Sequence, residues 1–181
     1  ILTFVIGVLL FLISYSFDAQ INLFFKNVKF PIFDFILSII TNFGIVIIVM
    51  LVIPSLILYK RNKKLIYLLL LAFFVSSILT VAAKSIFLRQ RPIESFTYPF
   101  TSIVNYSFPS MHAMVVFSLL PIVIKNLPKQ KHFWIGFGIL VAFSRVYFRF
   151  HFLSDVVFGT LFGYFIGDFL LKLNEKGKLW K

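Results

Sequence analysis

Ten residues in three short clusters combine side-chain types and spacings that could do chemistry. The clusters are Lys84, Arg91 and Pro92, then Pro109, Ser110 and His112, and finally Ser144, Arg145, His151 and Asp155. They supply three cations, two imidazoles and one carboxylate in a chain that is otherwise strongly apolar. Cations can hold the oxygens of a phosphate group, and such a set of cations, imidazoles and a carboxylate is the kit needed to break its ester bond. The clusters therefore indicate a site that binds a phosphate ester and breaks it.

The third cluster carries the strongest functional signal. His151 and Asp155 are four residues apart, so one helical turn would place the carboxylate beside the imidazole. Such a carboxylate fixes the tautomer of the imidazole and leaves its other nitrogen nucleophilic. Arg145 adds a planar fork for two phosphate oxygens. A charged pair at a helix end with an unrelated arginine is the structural alternative, but ionisable residues inside membrane segments are functional by default.

The first two clusters each have a structural explanation that stays open on the residues alone. Lys84 and Arg91 are seven residues apart and would share a helix face if the helix continued, which Pro92 opposes. In the structural explanation, the long cationic side chains of Lys84 and Arg91 extend from a helix end to the membrane surface. Ser110 is expected to cap a helix whose first turn holds His112, where free backbone N–H groups favour an anion. A cap followed by an interfacial histidine is the alternative.

The composition indicates an integral membrane protein with a single domain, residues 1–181. The chain is 60% hydrophobic and 13% charged, with a mean hydropathy of +0.99, whereas a soluble domain is about 45–50% apolar and about 25% charged. The lack of cysteine excludes disulfides, a thiol nucleophile and a thiolate metal site. The net charge of +12 does not predict a nucleic-acid partner, because cationic loops in a membrane protein set topology and meet anionic lipid.

The apolar runs predict an all-α bundle of six transmembrane helices with a short interfacial helix. The predicted spans are 1–17, 44–59, 65–87, 111–124, 133–148 and 153–171. The first span is expected to be an anchor helix rather than a signal peptide, and the amphipathic segment 18–42 is expected to lie at the interface. Gly159, Gly163 and Gly167 recur every four residues and favour close packing inside the bundle over a dimer contact.

The distribution of positive charge predicts the topology. The stretches 60–64, 125–131 and 172–181 hold 11 of the 18 lysines and arginines and fall on one side of a six-span chain. Positive loops face the cytoplasm, so both termini are predicted to be cytoplasmic in the cell (inner) membrane. All three clusters then meet at the opposite face, towards the periplasm or exterior. The loop 89–108 and the segment 18–42 are expected to form the entrance for a headgroup.

The patterns Lys84-x6-Arg91-Pro92, Pro109-Ser110-x-His112 and Ser144-Arg145-x5-His151-x3-Asp155 resemble the three-part signature of the type 2 phosphatidic acid phosphatase superfamily. The order and the spacing both match. The resemblance covers about residues 60–172, with the signature in about 84–155, and the layout is similar to that of small bacterial membrane members. Met111 departs from the family, which usually has glycine there, although its backbone N–H is kept.

The resemblance implies a role for each matching residue. His151 would attack phosphorus and form a phosphohistidine, and Asp155 would orient it. His112 would protonate the leaving oxygen and then activate water. The phosphoryl oxygens would be bound by Lys84, Arg91, Ser110, Arg145 and the amide of Met111. No metal or other cofactor is implied.

The resemblance and the apolar chain together predict a membrane phosphatase for a lipid phosphate or diphosphate. Phosphatidylglycerophosphate, undecaprenyl diphosphate and the 1-phosphate of lipid A are the candidate substrates. A lipid phosphotransferase, which would resolve the same intermediate with an acceptor hydroxyl, is the main alternative. A transporter that uses the cations as an anion or lipid path is the third, and it leaves the pairing of His151 with Asp155 unexplained. The expected partners are the substrate lipid and the bilayer, for a monomer or a weak homodimer.

Overall fold

The computed structural model describes residues 2–28, 30–60, 62–93 and 103–179, and within these ranges it is built of helices without a strand. The α-helices are α1 (Leu2–Ser16), α2 (Asp18–Asn27), α3 (Pro31–Ile40), α4 (Phe43–Ile47), α5 (Ile53–Tyr59), α6 (Lys63–Phe87), α7 (Met111–Asn126), α8 (Lys131–Tyr147) and α9 (Leu153–Glu175). A π-helical stretch, Ile48–Val52, joins α4 to α5, and short 3-10 turns cover Ile103–Asn105 and Pro128–Gln130. The all-helical prediction is confirmed for these residues. Residues 94–102 of the predicted headgroup loop lie outside them.

Two sharp bends near the start of the chain shape the region predicted to lie at the interface. α1 and α2 meet at 52°, and α3 meets the continuous helix α4–α5 at 54°. Pro31 begins α3, where its missing N–H costs no hydrogen bond. Asn42 caps α4 by accepting from the amide of Ile45 at 3.3 Å. The segment 18–42 is therefore two short helices, α2 and α3, instead of one.

Several helices are suited to a membrane by length and composition. α6 has 25 residues and α9 has 23, and both are apolar enough to cross; at 1.5 Å per residue α6 is about 37 Å long. Each bent pair, α1 with α2 and α3 with α4–α5, could add one span among the described residues. α7 is apolar but has only 16 residues. These helices identify a multi-pass membrane protein, and the count of six spans stays a prediction.

Helix α7 forms the centre of the bundle, between α6, α8 and α9. Eleven of its 16 residues are buried, which is expected of a helix surrounded on all sides. The glycine ridge of α9 faces it: a Cβ on Gly159 would lie 2.9 Å from the Ser110 carbonyl, and one on Gly163 or Gly167 would overlap the α7 backbone. The prediction that this ridge packs inside the bundle is confirmed.

The helices α2 and α3 are fixed against α8 by aromatic and polar contacts. The hydroxyl of Tyr147 donates to Asp34 at 2.5 Å and accepts from the amide of Phe30 at 3.4 Å. The ring of Phe25 lies 5.5 Å from that of Tyr147, edge to face. These contacts hold the two short helices beside the last turn of α8, at the end of the bundle where α9 begins.

Candidate active site

His151 lies in the tight connection between α8 and α9. The connection turns sharply because Arg149 adopts a left-handed conformation with φ of 59°, and the amide of His151 then donates back to the Arg145 carbonyl at 3.2 Å. α9 begins only at Leu153, so His151 and Asp155 do not share a helical turn. They are neighbours because the Asp155 side chain folds back over the helix start and accepts from the amide of Phe152 at 2.9 Å.

The Asp155 carboxylate is fully buried and surrounded by donors. Its Oδ1 accepts from Arg89 at 2.7 Å, and its Oδ2 accepts from the Ser107 hydroxyl as well as from the Phe152 amide. His151 Nδ1 lies 3.7 Å from Oδ2, which is too far for a hydrogen bond. Arg89, which the sequence did not mark as functional, is therefore the ion-pair partner of this buried carboxylate.

Ser107 connects His151 to Asp155 and fixes the tautomer of the imidazole. Its oxygen lies 3.4 Å from His151 Nδ1, and its proton is given to Asp155, so the oxygen accepts from Nδ1–H. The hydrogen-bond network thus assigns an unprotonated Nε2. Burial lowers the pKa of His151 well below its ordinary value, and the cations Arg91, Lys84 and Arg145 lower it further. The lowered pKa favours the neutral imidazole, and in this tautomer the lone pair of Nε2 is available.

Lys84 and Arg91 converge on one loop although they are on different elements. α6 ends at Phe87, and Leu88 turns the chain with φ of 47°, so the helix does not continue to Arg91. The ammonium of Lys84, only 1% exposed, donates to the carbonyls of Tyr106 and Ser107. Arg91 donates to the carbonyl of Asn105 at 2.7 Å and to that of Phe150 at 2.9 Å. The helix ends before Arg91, so the two residues share no helix face, but both cations reach the site.

Arg145 and His112 both contact Thr41, at the bend between α3 and α4. Arg145, in the last turn of α8, donates to the Thr41 hydroxyl at 2.5 Å, and its guanidinium lies 4.5 Å from the centre of the Phe150 ring. His112, in the first turn of α7, places Nε2 at 2.9 Å from the Thr41 carbonyl. Thr41 therefore touches two of the residues predicted to handle the substrate.

Ser110 precedes α7 in the N-cap position, but its side chain does not cap the helix. Its hydroxyl is buried and has no hydrogen-bond partner among the described residues, while its amide donates to the Asp155 carbonyl at 3.1 Å. The side chain of Met111 packs against the main hydrophobic core. Its amide belongs to the first turn of α7, where N–H groups without helical partners favour an anion. The prediction that Ser110 is the N-cap residue is confirmed, but the capping hydrogen bond expected from its side chain is not formed.

A second buried carboxylate, Asp18 at the start of α2, joins the site through Arg89. Arg89 donates to Asp18 Oδ2 at 2.7 Å from the nitrogen that does not serve Asp155. Asp18 also accepts from the amide of Ser154 at 2.9 Å and from its hydroxyl at 2.5 Å. Arg89 completes the network with a 2.8 Å bond to the same hydroxyl.

The structure brings the predicted residues to one end of the bundle. They are Lys84, Arg91, Ser110, Met111, His112, Arg145, His151 and Asp155. The sequence reasoning missed Asp18, Arg89, Thr41, Ser107 and Ser154 as members of the site. Asp18 and Arg89 carried a usable signal, because ionisable residues are rare in so apolar a chain. No group of three or more acidic or histidine side chains in the described part of the chain is arranged to hold a metal ion.

The family model that describes the PAP2 superfamily matches residues 64–178. The chain belongs to the PAP2 superfamily. The match contains all three clusters, so the resemblance seen in the sequence is confirmed. Residues 2–63, with α1 to α5, precede it, and Asp18 and Thr41 therefore lie outside the matched region.

Two solved structures share the fold. A transmembrane PAP2-type phosphatidylglycerolphosphate phosphatase from Bacillus subtilis is 23% identical, with a TM-score of 0.75 over 98% of this chain and 98% of its own. LpxE from Aquifex aeolicus is 21% identical, with a TM-score of 0.70 over 86% of this chain and 94% of its own. At these identities the likeness is one of fold. No curated protein sequence matches the chain.

Proposed function

We propose that the protein is an integral membrane phosphatase that hydrolyses a lipid phosphate or diphosphate through a phosphohistidine. The observation that carries this proposal is the environment of His151. Its imidazole is neutral, and its Nδ1 is turned towards Ser107 and Asp155, which leaves Nε2 as the nucleophile. Three cations on three different elements surround it, which suits a dianionic phosphoryl group.

Binding of the phosphoryl group would replace neutral acceptors by charged ones. Lys84, Arg91 and Arg145 donate to backbone carbonyls or to a threonine hydroxyl. Hydrogen bonds from a cation to a phosphate oxygen are shorter and about twice as strong as neutral ones. The Ser110 hydroxyl, buried without a partner among the described residues, would gain an acceptor, and the Met111 amide would add a donor at the start of α7.

The reaction would take two in-line steps. In the first, His151 Nε2 attacks phosphorus, the bond from phosphorus to the lipid oxygen breaks, and His112 gives that oxygen a proton. Asp155 stabilises the resulting positive ring through Ser107. In the second, His112 takes a proton from water, the water oxygen attacks phosphorus, and the bond to His151 breaks. The products are the dephosphorylated lipid and inorganic phosphate.

The proposed arrangement in the membrane is a single domain, 1–181, with six spans. α1, α4–α5, α6, α7, α8 and α9 would cross, and α2 and α3 would lie at the interface beside the site. The position of 11 of 18 lysines and arginines supports cytoplasmic termini and a site on the opposite face of the cell membrane. The exposed ion pair of Lys125 with Glu175, at the far ends of α7 and α9, would then be cytoplasmic.

The substrate is proposed to be phosphatidylglycerophosphate, undecaprenyl diphosphate or the 1-phosphate of lipid A. The name of the Bacillus subtilis structure supports testing the first of these before the others. Metal independence is part of the proposal. The chain has only six acidic residues, and two of them, Asp18 and Asp155, form ion pairs with Arg89.

The test is phosphate release by the purified protein in detergent from each of the three lipids, with and without a chelator. We expect release from at least one lipid in the presence of the chelator, and none from His151→Ala. His132→Ala is the matched control, because His132 is exposed near the start of α8 and makes no contact with the site. Release that survives in His151→Ala would overturn the mechanism. A phosphorylated acceptor lipid in place of free phosphate would identify a transferase.

A further inference from the structure

Behind His151, Asp155 belongs to a buried polar network whose other members, Asp18, Arg89 and Ser154, take no part in the chemical steps described above. The network joins Asp18 at the start of α2, Arg89 in the connection after α6, and Ser154 and Asp155 in the first turn of α9. Asp18 is 6% exposed and Asp155 is not exposed at all, while the Arg89 side chain is 23% exposed. Within the described part of the chain, neither Asp18 nor Arg89 contacts His151, Lys84, Arg91 or Arg145.

We propose that Arg89 and Asp18 are a pair of positioning residues that hold Asp155, and through it His151, in the reactive arrangement. Arg89 would fix the carboxylate of Asp155, and Asp18 would fix Arg89 and the start of α9. This inference rests on the proposed function for the catalytic meaning of His151. The geometry of the network stands independently of it.

The shape of the Arg89 guanidinium suits this role. One terminal nitrogen donates to Asp155 at 2.7 Å and to Ser154 at 2.8 Å, and the other donates to Asp18 at 2.7 Å. A lysine offers a single nitrogen and cannot reach both carboxylates in this fixed plane. The guanidinium carbon lies 4.1 Å from the centre of the Phe152 ring, which restricts its rotation further.

Asp18 links a helix outside the family match to the first turn of α9. It accepts from both the amide and the hydroxyl of Ser154, so it satisfies a donor at the start of α9 from another element. Without Asp18, Arg89 would keep one carboxylate partner and could turn away from Asp155. Through Asp18, helix α2 would therefore act on His151 by way of Arg89 and Ser154.

A purely structural bond between α2 and α9 is the competing explanation, and the pH profile separates the two. The charged and titratable groups around His151 and Asp155 are Lys84, Arg89, Arg91, His112, Arg145 and Asp18. Burial is the largest cause of the low pKa of His151. If Asp155 loosens and water enters, that pKa rises, His151 is protonated at higher pH, and the acid limb of kcat/KM moves to higher pH.

The first experiment measures kcat, KM and the acid limb for Arg89→Gln, Arg89→Lys and Asp18→Asn. We expect kcat to fall about 100-fold in Arg89→Gln and about 10-fold in Asp18→Asn, with KM changed less than about twofold, as for outer-shell partners of reactive groups. Arg89→Lys should restore less than half of the decrease in log kcat that Arg89→Gln causes. The kcat of the double variant, Arg89→Gln with Asp18→Asn, should lie within about twofold of the kcat of Arg89→Gln alone, because the two residues act as one unit.

Arg149→Gln is the matched control. Arg149 also ties the α8–α9 connection to α2, through a 2.7 Å bond to Asn22, but it makes no contact with Asp155. We expect its acid limb to coincide with that of the wild type even if its thermal stability falls. An acid limb that moves equally in Arg149→Gln and Arg89→Gln would overturn the positioning role.

The second experiment does not need activity. The chain has three histidines, so ¹⁵N-histidine NMR in detergent, with His112→Gln and His132→Gln for assignment, can observe His151 directly. In the wild type we expect a neutral His151 that carries its proton on Nδ1 and none on Nε2. In Arg89→Gln and Asp18→Asn we expect His151 to become protonated at a higher pH than in the wild type. An unchanged titration in both variants overturns this inference. A moved titration in a protein that releases no phosphate overturns the proposed function instead. If Arg89→Gln does not fold, the isosteric Asp18→Asn carries the test.

Discussion

The two sides of His151 satisfy their charges in different ways. Behind it, the carboxylates of Asp155 and Asp18 meet a guanidinium, hydroxyls and amides. Every one of these acceptors has a donor from within the protein, and opposite charges lie within 2.7 Å of each other through Arg89. Such a network is expected to be rigid, because removing one member leaves a buried charge without compensation.

In front of it, the contacts that the described residues make with the cations are to neutral oxygens. Lys84 donates to two carbonyls, Arg91 donates to two others, and Arg145 donates to the Thr41 hydroxyl. The Ser110 hydroxyl has no partner among the described residues. When an anion arrives, the cationic donors of this side exchange neutral acceptors for a charged one and gain the attraction of opposite charges, whereas the carboxylates behind His151 already have a cationic partner.

The difference assigns separate tasks to the two sides. The paired side, made of Asp155, Asp18 and Arg89, can hold His151, the proposed nucleophile, in place before a substrate arrives, since its bonds do not depend on substrate. The cationic side, made of Lys84, Arg91 and Arg145, would bind the phosphoryl group in the proposed reaction, since its bonds to neutral oxygens can be exchanged. Preorganised donors that strengthen as charge develops are the usual source of the largest rate effects. Variants on the two sides should therefore differ in what they disturb.

Asp155→Asn should have the largest effect, because it breaks the paired side at its centre. The amide cannot accept from Arg89 as a carboxylate does, and it loses the charge that stabilises the positive ring of His151. We expect kcat/KM for phosphate release to fall by about 10³-fold or more, with inhibition by the product, inorganic phosphate, nearly unchanged. Equal losses of rate and of phosphate affinity would mean that the two sides are not separable.

Arg145→Gln tests the cationic side and should rank second. Removal of one preorganised donor costs about 10²-fold in kcat, and orthovanadate, as an analogue of the transition state, should lose affinity in parallel. Arg149→Gln, four residues later, serves as the control, because its contacts are to Asn22 and the Pro92 carbonyl. A rate loss without a loss of vanadate affinity would place Arg145 on the holding side of His151.

Ser110→Ala should have a smaller effect and should separate activity from stability. Its hydroxyl has no partner to lose among the described residues, so we expect an unchanged melting temperature and about tenfold slower phosphate release, the worth of one hydrogen bond. Ser118→Ala is the converse control. The Ser118 hydroxyl bonds to Ser76 at 3.0 Å and to the Val115 carbonyl at 2.9 Å in the core. The Ser118→Ala substitution should therefore lower the melting temperature and leave the rate of phosphate release unchanged. Unchanged release by Ser110→Ala would remove Ser110 from the phosphate site.

The cationic side could be predicted from the sequence because its residues sit at helix ends. Lys84 ends one apolar run and His112 begins the next, so the order of the helices brings them to the same end of the bundle. Local geometry was less predictable. His151 and Asp155 are neighbours through a side chain folded over a helix start, and the four-residue spacing that suggested a shared turn belongs to no single helix.

Most contacts of the paired side could not be predicted from the sequence, because they join distant parts of the chain. Asp18 bonds to Ser154 across 136 positions, and Arg89 bonds to Asp18 across 71. Tertiary packing of α2 against α9 decides these contacts, and no local pattern encodes them. Ser107 precedes a recognised cluster by two residues, but a serine in a loop has no spacing that marks it.

Thr41→Val should have the smallest effect and the opposite sign. The variant removes the hydroxyl that accepts from Arg145 at 2.5 Å and keeps the backbone carbonyl beside His112. Because an arriving anion must displace that hydroxyl, its loss should tighten orthovanadate inhibition about fivefold, close to 1 kcal/mol for one net hydrogen bond. Thr80→Val is the control, since the Thr80 hydroxyl bonds to the Ser76 carbonyl within α6. Weaker inhibition in Thr41→Val would show that Thr41 supports Arg145 in the complex, and the cationic side would then be held in place by the protein just as the paired side is.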